Sequence, residues 1–352
     1  MTTKIIHSFE LGKEIDVVGF DKISYQAPTL TKSVKTMKPP IVSAAMIKKL
    51  QSKGCYFSEE DLVDAQKFLK EVNYYTFRTY YNYVGIKEYT ALKSVYQFEK
   101  ALRNIIQNIT VSIELLVKTT LIDTICEFYK SEEYQIAEFY LDNTIYQSKA
   151  KKQRIKEQFK IEISKVLNDK QNKAVIHNIE KYGGVPAWVL FSSFSFGPVT
   201  TFVNILNNDY RKIWVARLNN SSDDLSLEFP PSSTKADILP DALVPAWINS
   251  LRYLRNLVSH SGKIYGLQLD IPCKIHEEDQ IYILSERNGY LFEYLLVAKR
   301  FYLCCTDSSI SEWNRSIEQI KEALLEYDKE MKYVQLDLIG FPDNWEDILS
   351  IK

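Results

Sequence analysis

Residues 89–130 read YTALKSVYQFEKALRNIIQNITVSIELLVKTTLIDTICEFYK and contain neither glycine nor proline. Apolar side chains recur in this stretch at spacings of three and four residues, which is the period of one helix face. The repeating positions are Leu92, Val95, Phe98, Leu102, Ile105, Ile106 and Ile109. The pattern predicts one long helix, or two helices separated by a slight kink, and favours the all-α class.

The composition agrees with a helical, globular protein. Hydrophobic residues make up 45% and charged residues 25% of the 352 residues, which is the balance of a folded domain rather than of a disordered chain. The 11 glycines are fewer than half of the roughly 7% found in an average protein, and such scarcity suits long helices with few tight turns. The length allows one large helical domain or two smaller ones.

The cysteines and the N-terminus indicate a cytoplasmic protein. The five cysteines are odd in number, and no two have the C-x-x-C spacing of a zinc site or a redox pair. The sequence opens without a signal peptide, and no stretch approaches the ~20 apolar residues of a membrane span. We therefore expect no membrane contact and no metal ion or other cofactor. The net charge of −1 argues against indiscriminate coating of nucleic acid but allows a local basic surface.

The chain divides into four predicted regions. They are an N-terminal arm or small hairpin (1–38), an N-terminal helical segment (39–88), a helical core (89–310) with a loop insertion (219–240), and a C-terminal helix and tail (311–352). In the second region, SEED at residues 58–61 has the form of a capping box, in which Ser58 and Asp61 begin a helix. The later helices are expected at 146–167, 242–261, 290–305 and 311–327, with a short strand at 280–284.

The most informative motif is RNLVSH at residues 255–260. On a helix, Asn256 and His260 lie one turn apart on the same face, and the long side chain of Arg255 can reach the same point. A guanidinium grips phosphate with a fork and an imidazole transfers protons near neutral pH, so this set suits a phosphodiester. His260 falls in the last turn before Gly262, a natural helix breaker, where the helix dipole favours a protonated ring. The alternative is structural: Arg255 forms a surface ion pair and His260 caps its own helix.

This motif resembles the arginine–histidine motif of HEPN ribonucleases, and other segments resemble the Abi-like abortive-infection family of the AbiD and AbiF type. The similar segments occur in the family's order: KPPI at 38–41, IKKL at 47–50, VNYY at 72–75 with Arg78 and Tyr80 after it, YQFEKALR at 96–103, FSFG at 194–197 and GFPDNW at 340–345. Residues 1–37 resemble nothing in the family. Gly262 stands where some HEPN toxins carry a tyrosine that a partner enzyme modifies, so regulation by that route is not expected.

The resemblance implies an HEPN-like helical bundle with additional N-terminal helices, and metal-independent cleavage of RNA through attack by the RNA 2′-hydroxyl. Arg255, Asn256 and His260 would then be the catalytic residues. Such a reaction needs a base, an acid and a cation, whereas one motif supplies a single imidazole. The related segment RNIIQN at 103–108 carries Asn108 in the histidine's place. We therefore expect a homodimer that brings two copies of the motif together.

Glu99 and Arg103 form an i, i+4 pair on the long predicted helix. Two interpretations of this pair are open. It either stabilises the helix and its packing, or supports the catalytic residues from behind.

Two further sets of residues are candidates for RNA binding. A lysine-rich set suits the RNA backbone and comprises Lys149, Lys151, Lys152, Arg154 and Lys156. An aromatic set, Tyr74 and Tyr75 beside Arg78, suits stacking of bases. The structural alternatives are a solvated helix face for the first set and a packed aromatic core for the second.

Three functions are consistent with these features. The first is an antiphage protein whose dimeric site cleaves RNA, which makes it an endoribonuclease. The second is an RNA-binding module that forms a ribonucleoprotein with a structured small noncoding RNA, with nuclease activity absent or suppressed, because the AbiF branch of the family is associated with such an RNA. The third is a helical interaction protein in which His260 only caps a helix. The sequence lacks a glycine-rich phosphate loop, a serine-hydrolase elbow and an HExxH motif, which argues against those enzyme classes.

Overall fold

The computed structural model describes residues 43–72, 74–83, 85, 87–219, 238–284 and 289–352. The chain separates into two compact units, Met1–Arg78 and Thr79–Lys352. The predicted N-terminal arm, 1–38, lies outside the described residues, as does most of the predicted loop insertion, 219–240.

The described part of the first unit is helical. It contains α1 (Ser43–Gln51), α2 (Glu59–Glu71) and most of α3 (Tyr74–Thr79). The predicted capping box begins α2: the Ser58 hydroxyl accepts from the Asp61 N–H at 3.1 Å, and the Asp61 carboxylate accepts from the Ser58 N–H at 2.9 Å. Each side chain satisfies a backbone donor that the helix leaves free, so the prediction is confirmed.

The second unit is also helical. Its α-helices are α4 (Tyr89–Phe128), α5 (Gln153–Leu167), α6 (Lys173–Tyr182), α7 (Ala187–Ser193), α8 (Phe196–Ile205), α9 (Asn208–Asn219), α10 (Val244–Ser259), α11 (Leu291–Tyr302), α12 (Asp307–Tyr327) and α13 (Trp345–Leu349). Short 3-10 turns connect several of them. Within the described residues there is no strand, and an isolated antiparallel bridge joins Tyr146 to Leu206. The predicted all-α class is confirmed.

The long helix α4 forms the centre of the second unit. Its 40 residues are continuous and span about 60 Å, so the predicted stretch is one helix rather than two. The seven apolar positions that predicted the helix are all buried. α4 packs against α9, α10 and α12, and α10 packs in addition against α8 and α11. The apolar stripe of α4 therefore sets where α10 lies.

Two local predictions differ from the structure. The strand expected at 280–284 is wrong: this segment belongs to the 3-10 turn Glu277–Tyr282 and its exit. Buried Arg300 of α11 accounts for the difference, because its guanidinium donates to Asp279 at 2.6 Å and holds the acidic turn against the helix. The helix expected from residue 146 begins at Gln153, since Tyr146 is taken up by its bridge to Leu206.

No helix in the described part of the chain is both long enough and apolar enough to cross a membrane.

Candidate functional site

The RNLVSH motif occupies the end of α10. The apolar face of this helix is buried, including Trp247, Leu251 and Leu254. His260 is the C-terminal cap: its backbone N–H donates to the Asn256 carbonyl at 3.1 Å, which keeps the two residues on one helical path. The His260 side chain is exposed, and Asn256 is half-buried. The helix predicted at 242–261 is thus present with slightly shorter ends.

The turn after His260 differs from the prediction in one respect. We expected Gly262 to break the helix, but Ser261 is the residue with the left-handed backbone, at a φ of 55°. The Ser261 N–H donates to the Val258 carbonyl and the Gly262 N–H to the Leu257 carbonyl, which is the bonding of a Schellman motif. Gly262 is needed for a different reason, because a Cβ there would lie 2.2 Å from Cδ1 of Leu257.

Arg255 is held from behind by a buried carboxylate on α4. Its Nε lies 3.3 Å from Oε2 of Glu114, whose other oxygen pairs with Lys118 at 2.8 Å. The Arg255 and Glu114 atoms are within ion-pair distance but are not aligned for a hydrogen bond. The Arg255 side chain remains 27% exposed, so part of the guanidinium faces solvent.

Neighbouring contacts fix the last turn of α10. Nη1 of Arg255 donates to the Asn256 side-chain oxygen at 3.3 Å, and the Ser259 hydroxyl lies 2.7 Å from Oε1 of Gln107 on α4. The structure thereby brings Arg255 and Asn256 into direct contact, while His260 stands one helical turn beyond them.

Glu99 and Arg103 form the predicted pair and are both buried. Nη1 of Arg103 lies 3.2 Å from Oε1 of Glu99. The same carboxylate oxygen accepts the backbone N–H groups of Ile264 at 2.6 Å and Tyr265 at 3.2 Å. Glu99 therefore anchors the chain a few residues after His260. Asn108, at the histidine position of the related segment, is exposed on α4.

Lys263 is a nearby cation that sequence reasoning missed. Its ammonium lies 4.2 Å from the ring centre of Tyr80 and 3.8 Å from that of Tyr83. Burial lowers the pKa of Lys263 to about 8, with the Glu99 carboxylate acting in the opposite direction. The two ring faces also favour the charged form, so the ammonium is mostly protonated at neutral pH. Its position three residues after His260 was the only signal for it in the sequence.

The lysine-rich set lies at the start of α5. Lys149, Lys151 and Arg154 are exposed, whereas Lys152 and Lys156 are half-buried. Burial lowers the pKa of Lys152, and the charges of Lys151, Arg211 and Lys149 lower it further. Arg211, on α9, therefore adds to this positive surface, although it also pairs with Asp241 at 2.7 Å.

The aromatic set divides by burial. Tyr74 is 2% exposed and belongs to the core, so its ring offers no face for a base to stack on. Tyr75 is 54% exposed and Arg78 is half-buried. The packed-core alternative thus applies to Tyr74, whereas the side chain of Tyr75 is more than half exposed.

The family model described as Abi-like protein matches residues 67–266, more than half of the chain. The chain belongs to the Abi-like family. The match runs from α2 to the turn after α10 and includes the whole motif at 255–260. Abi-like proteins are named for abortive infection, so the family associates this chain with phage defence. The chain matches no curated protein and no solved structure.

The turn after His260 in this Abi-like chain gives a first prediction. Gly262→Ala places a methyl group against the Leu257 side chain and carbonyl, and should lower the free energy of unfolding by about 1–3 kcal/mol. Ser261→Gly removes a left-handed non-glycine residue, and should raise that free energy by up to about 1 kcal/mol. Urea denaturation followed by circular dichroism measures both changes. A neutral Gly262→Ala variant would show that Leu257 repacks freely and that the turn does not require glycine.

Proposed function

We propose that this Abi-like chain is a cytoplasmic abortive-infection effector of the HEPN type that binds RNA and cleaves it without a metal ion. The observation that carries the proposal is the end of α10, where an exposed imidazole, His260, follows a half-exposed guanidinium, Arg255, that a buried carboxylate holds in place. This combination supplies proton transfer and phosphate binding at one surface.

The reaction that suits these groups is attack by the RNA 2′-hydroxyl on the adjacent phosphate. An imidazole accepts the hydroxyl proton, a second imidazole donates a proton to the departing 5′-oxygen, and the products are a cyclic phosphate and a free 5′-hydroxyl. Arg255 stabilises the negative charge that grows on the phosphate oxygens. Asn256 contacts the guanidinium and so orients it.

Glu114 acts as a positioning residue in this proposal. It lies beside Nε of Arg255, and Asn256 accepts from Nη1, which leaves Nη2 available to an anion. A guanidinium that such contacts already hold in place loses less conformational freedom when it binds phosphate. Arg255 forms an ion pair, as the structural alternative expected, but its partner Glu114 is buried rather than at the surface.

A second copy of the chain would complete the site. Among the described residues, His260 is the one imidazole at this surface, and the related position on α4 is Asn108, which cannot transfer a proton. Val111 and Leu115, one turn apart on α4 and beside Glu114, are 42% and 64% exposed. Aliphatic side chains exposed next to a polar site are a typical setting for a subunit interface, and they support a homodimer with two α10 ends facing each other.

Substitution of His260 tests the proposed chemistry. His260→Ala should reduce RNA cleavage by roughly 100- to 10,000-fold and abolish phage restriction, because the proton-transferring group is removed. The fold should survive, since an exposed cap contributes no more than about 1 kcal/mol. His177→Ala, which removes an exposed histidine on α6, is the matched control and should change neither activity. The nuclease proposal is wrong if folded His260→Ala protein cleaves RNA at the wild-type rate, or if chelators stop the wild-type reaction.

The interface is tested separately. Leu115→Asp buries a carboxylate in the proposed contact, and should give a monomer that binds RNA but cleaves it at less than a tenth of the wild-type rate. Light scattering measures the mass, and Leu325→Asp on α12 is the control with a similarly exposed leucine. Monomeric Leu115→Asp protein with full activity would contradict a shared site.

A second candidate function is a ribonucleoprotein with a structured small RNA, in which nuclease activity is absent or suppressed. The exposed basic set at the start of α5 favours RNA binding of this kind, because Lys149, Lys151 and Arg154 form no ion pair among the described residues. Backbone contacts from such a surface give affinity without reading sequence.

Charge reversal tests this basic surface. Changing Lys149, Lys151 and Arg154 to Glu should weaken RNA binding and reduce the slope of log affinity against log salt by about 2, at roughly 0.7 per lost phosphate contact. Changing Lys170, Lys173 and Lys181 to Glu alters the net charge equally at other exposed positions and should have little effect. Equal losses in the two triple variants would show a general charge effect rather than a binding surface.

A further inference from the structure

A cleft of about 900 Å³ lies between α5, α8 and α10. Its polar lining residues include Gln158, Glu162, Thr201, Asn204, Asn249 and Arg252. Small residues such as Gly197 and Ala246 form much of the remaining wall, which leaves room between the helices. Most of these polar side chains are amides or hydroxyls, which can donate hydrogen bonds to the edges of nucleobases or accept hydrogen bonds from them.

One end of the cleft lies close to the lysine-rich set at the start of α5. Lys152, just before α5, is close enough to Arg211 for their like charges to interact, and Arg211 pairs with Asp241, just before α10. The N-terminal ends of α5 and α10 are therefore neighbours. Lining residues follow in order along both helices, so the cleft runs from the lysine-rich set towards Glu162 and Arg252.

The other end of the cleft leads to the candidate site. Arg252, Asn256 and His260 are spaced by four residues, so they lie one above another on the same face of α10. By helix geometry, Arg252 and His260 are about 12 Å apart along the axis. Arg255 lies on the adjoining face, towards Glu114 of α4. Arg252 therefore adds a second cation on the side of α10 that carries Asn256 and His260.

Arg252 is available to an anion. Its guanidinium donates to Oδ1 of Asn249 at 3.0 and 3.3 Å, and in the described part of the chain no carboxylate lies within ion-pair distance of it. Its neighbour Arg255 pairs with Glu114. Glu162, the acid in the lining, pairs with Lys165 at 2.6 Å, which offsets its charge.

We propose that this cleft is a subsite for single-stranded RNA next to the scissile phosphate, in which Arg252 binds a flanking phosphate. Asn249, Gln158 and Asn204 contact the bases, and the basic surface at the start of α5 receives the strand as it leaves the cleft. The proposal rests on the proposed function, because it takes His260 as the cleavage point. It makes the enzyme select RNA that is unpaired on one side of the cut, since the amide side chains can reach the pairing edges of bases only where those bases are unpaired.

The experiment measures binding and cleavage with full-length protein. Binding of a fluorescent oligouridylate is followed by anisotropy in the His260→Ala background, which prevents turnover. Arg252→Ala should weaken binding about tenfold, as expected for loss of a charge-assisted hydrogen bond, and should lower the salt slope by about 0.7. Arg252→Lys should recover part of the loss. Ala246→Trp, which fills the cleft without changing charge, should also weaken binding. Arg315→Ala, which removes an exposed arginine on α12, should have no effect.

The kinetics of cleavage distinguish a residue that binds RNA in this subsite from a residue that acts in catalysis. With His260 present, Arg252→Ala should raise KM for the oligonucleotide about tenfold and leave kcat, and the cleavage of a dinucleotide, unchanged. The subsite is rejected, and the proposed function retained, if wild-type protein cleaves RNA and both Arg252→Ala and Ala246→Trp bind and cleave as it does. If wild-type protein binds the oligonucleotide through Arg252 but never cleaves RNA, the nuclease is rejected and RNA binding in the cleft stands. If it binds no RNA, both are rejected.

Discussion

Two buried carboxylates on one apolar helix fix the position of the candidate site. Glu99 and Glu114 lie about four turns apart on α4, within a stripe of leucine, isoleucine and valine. Burying a carboxylate is unfavourable unless it finds partners, and both find them at the end of α10. Glu114 faces Arg255, and Glu99 accepts from the backbone of Ile264 and Tyr265. His260 lies between these two attachments.

The attachments give the histidine a defined place without burying it. The backbone on either side of His260 is held to α4, and the Schellman bonds close the turn in between. The imidazole itself remains exposed. An arrangement with a fixed backbone and an accessible side chain is what a group that must meet a large substrate requires. The same polar groups also contain most of the buried atoms that lack a hydrogen bond in the described residues: Glu99 Oε2, Arg103 Nη1, Glu114 Oε2 and Arg255 Nε. Three of these four atoms lie at ion-pair distance from an opposite charge, so charge pairing rather than a hydrogen bond offsets their burial.

The sequence predicted those features that depend on local pattern. The period of the apolar residues was enough to predict α4, and the capping box at Ser58 was enough to predict the start of α2. The four-residue spacing of Asn256 and His260 was enough to predict that they share one helical path. Features that depend on distant partners were missed. Nothing near Arg255 in the sequence indicates Glu114, although an acid and a lysine in a long apolar stretch were a signal that a partner was needed. The segment at 280–284 is rich in residues typical of strands, but its fold is decided by Arg300. Tyr74 and Tyr75 are adjacent in sequence, and only the packing determines which of them is exposed.

Arg252 and Arg255 illustrate how packing assigns different roles to similar residues on one helix. Arg255 is joined to a buried acid that limits its movement, whereas the guanidinium of Arg252 donates to the amide of Asn249 and borders an open cleft. A protein that merely bound RNA would need the second arrangement but not the first, because affinity for phosphate does not require a guanidinium to be held in one orientation. Burying Glu114 to hold Arg255 lowers stability relative to an apolar residue at the same position, and a benefit must offset that loss. Orientation of charge towards a reacting phosphate is such a benefit. In the proposed function, this difference assigns Arg255 to the reacting phosphate and Arg252 to a flanking phosphate.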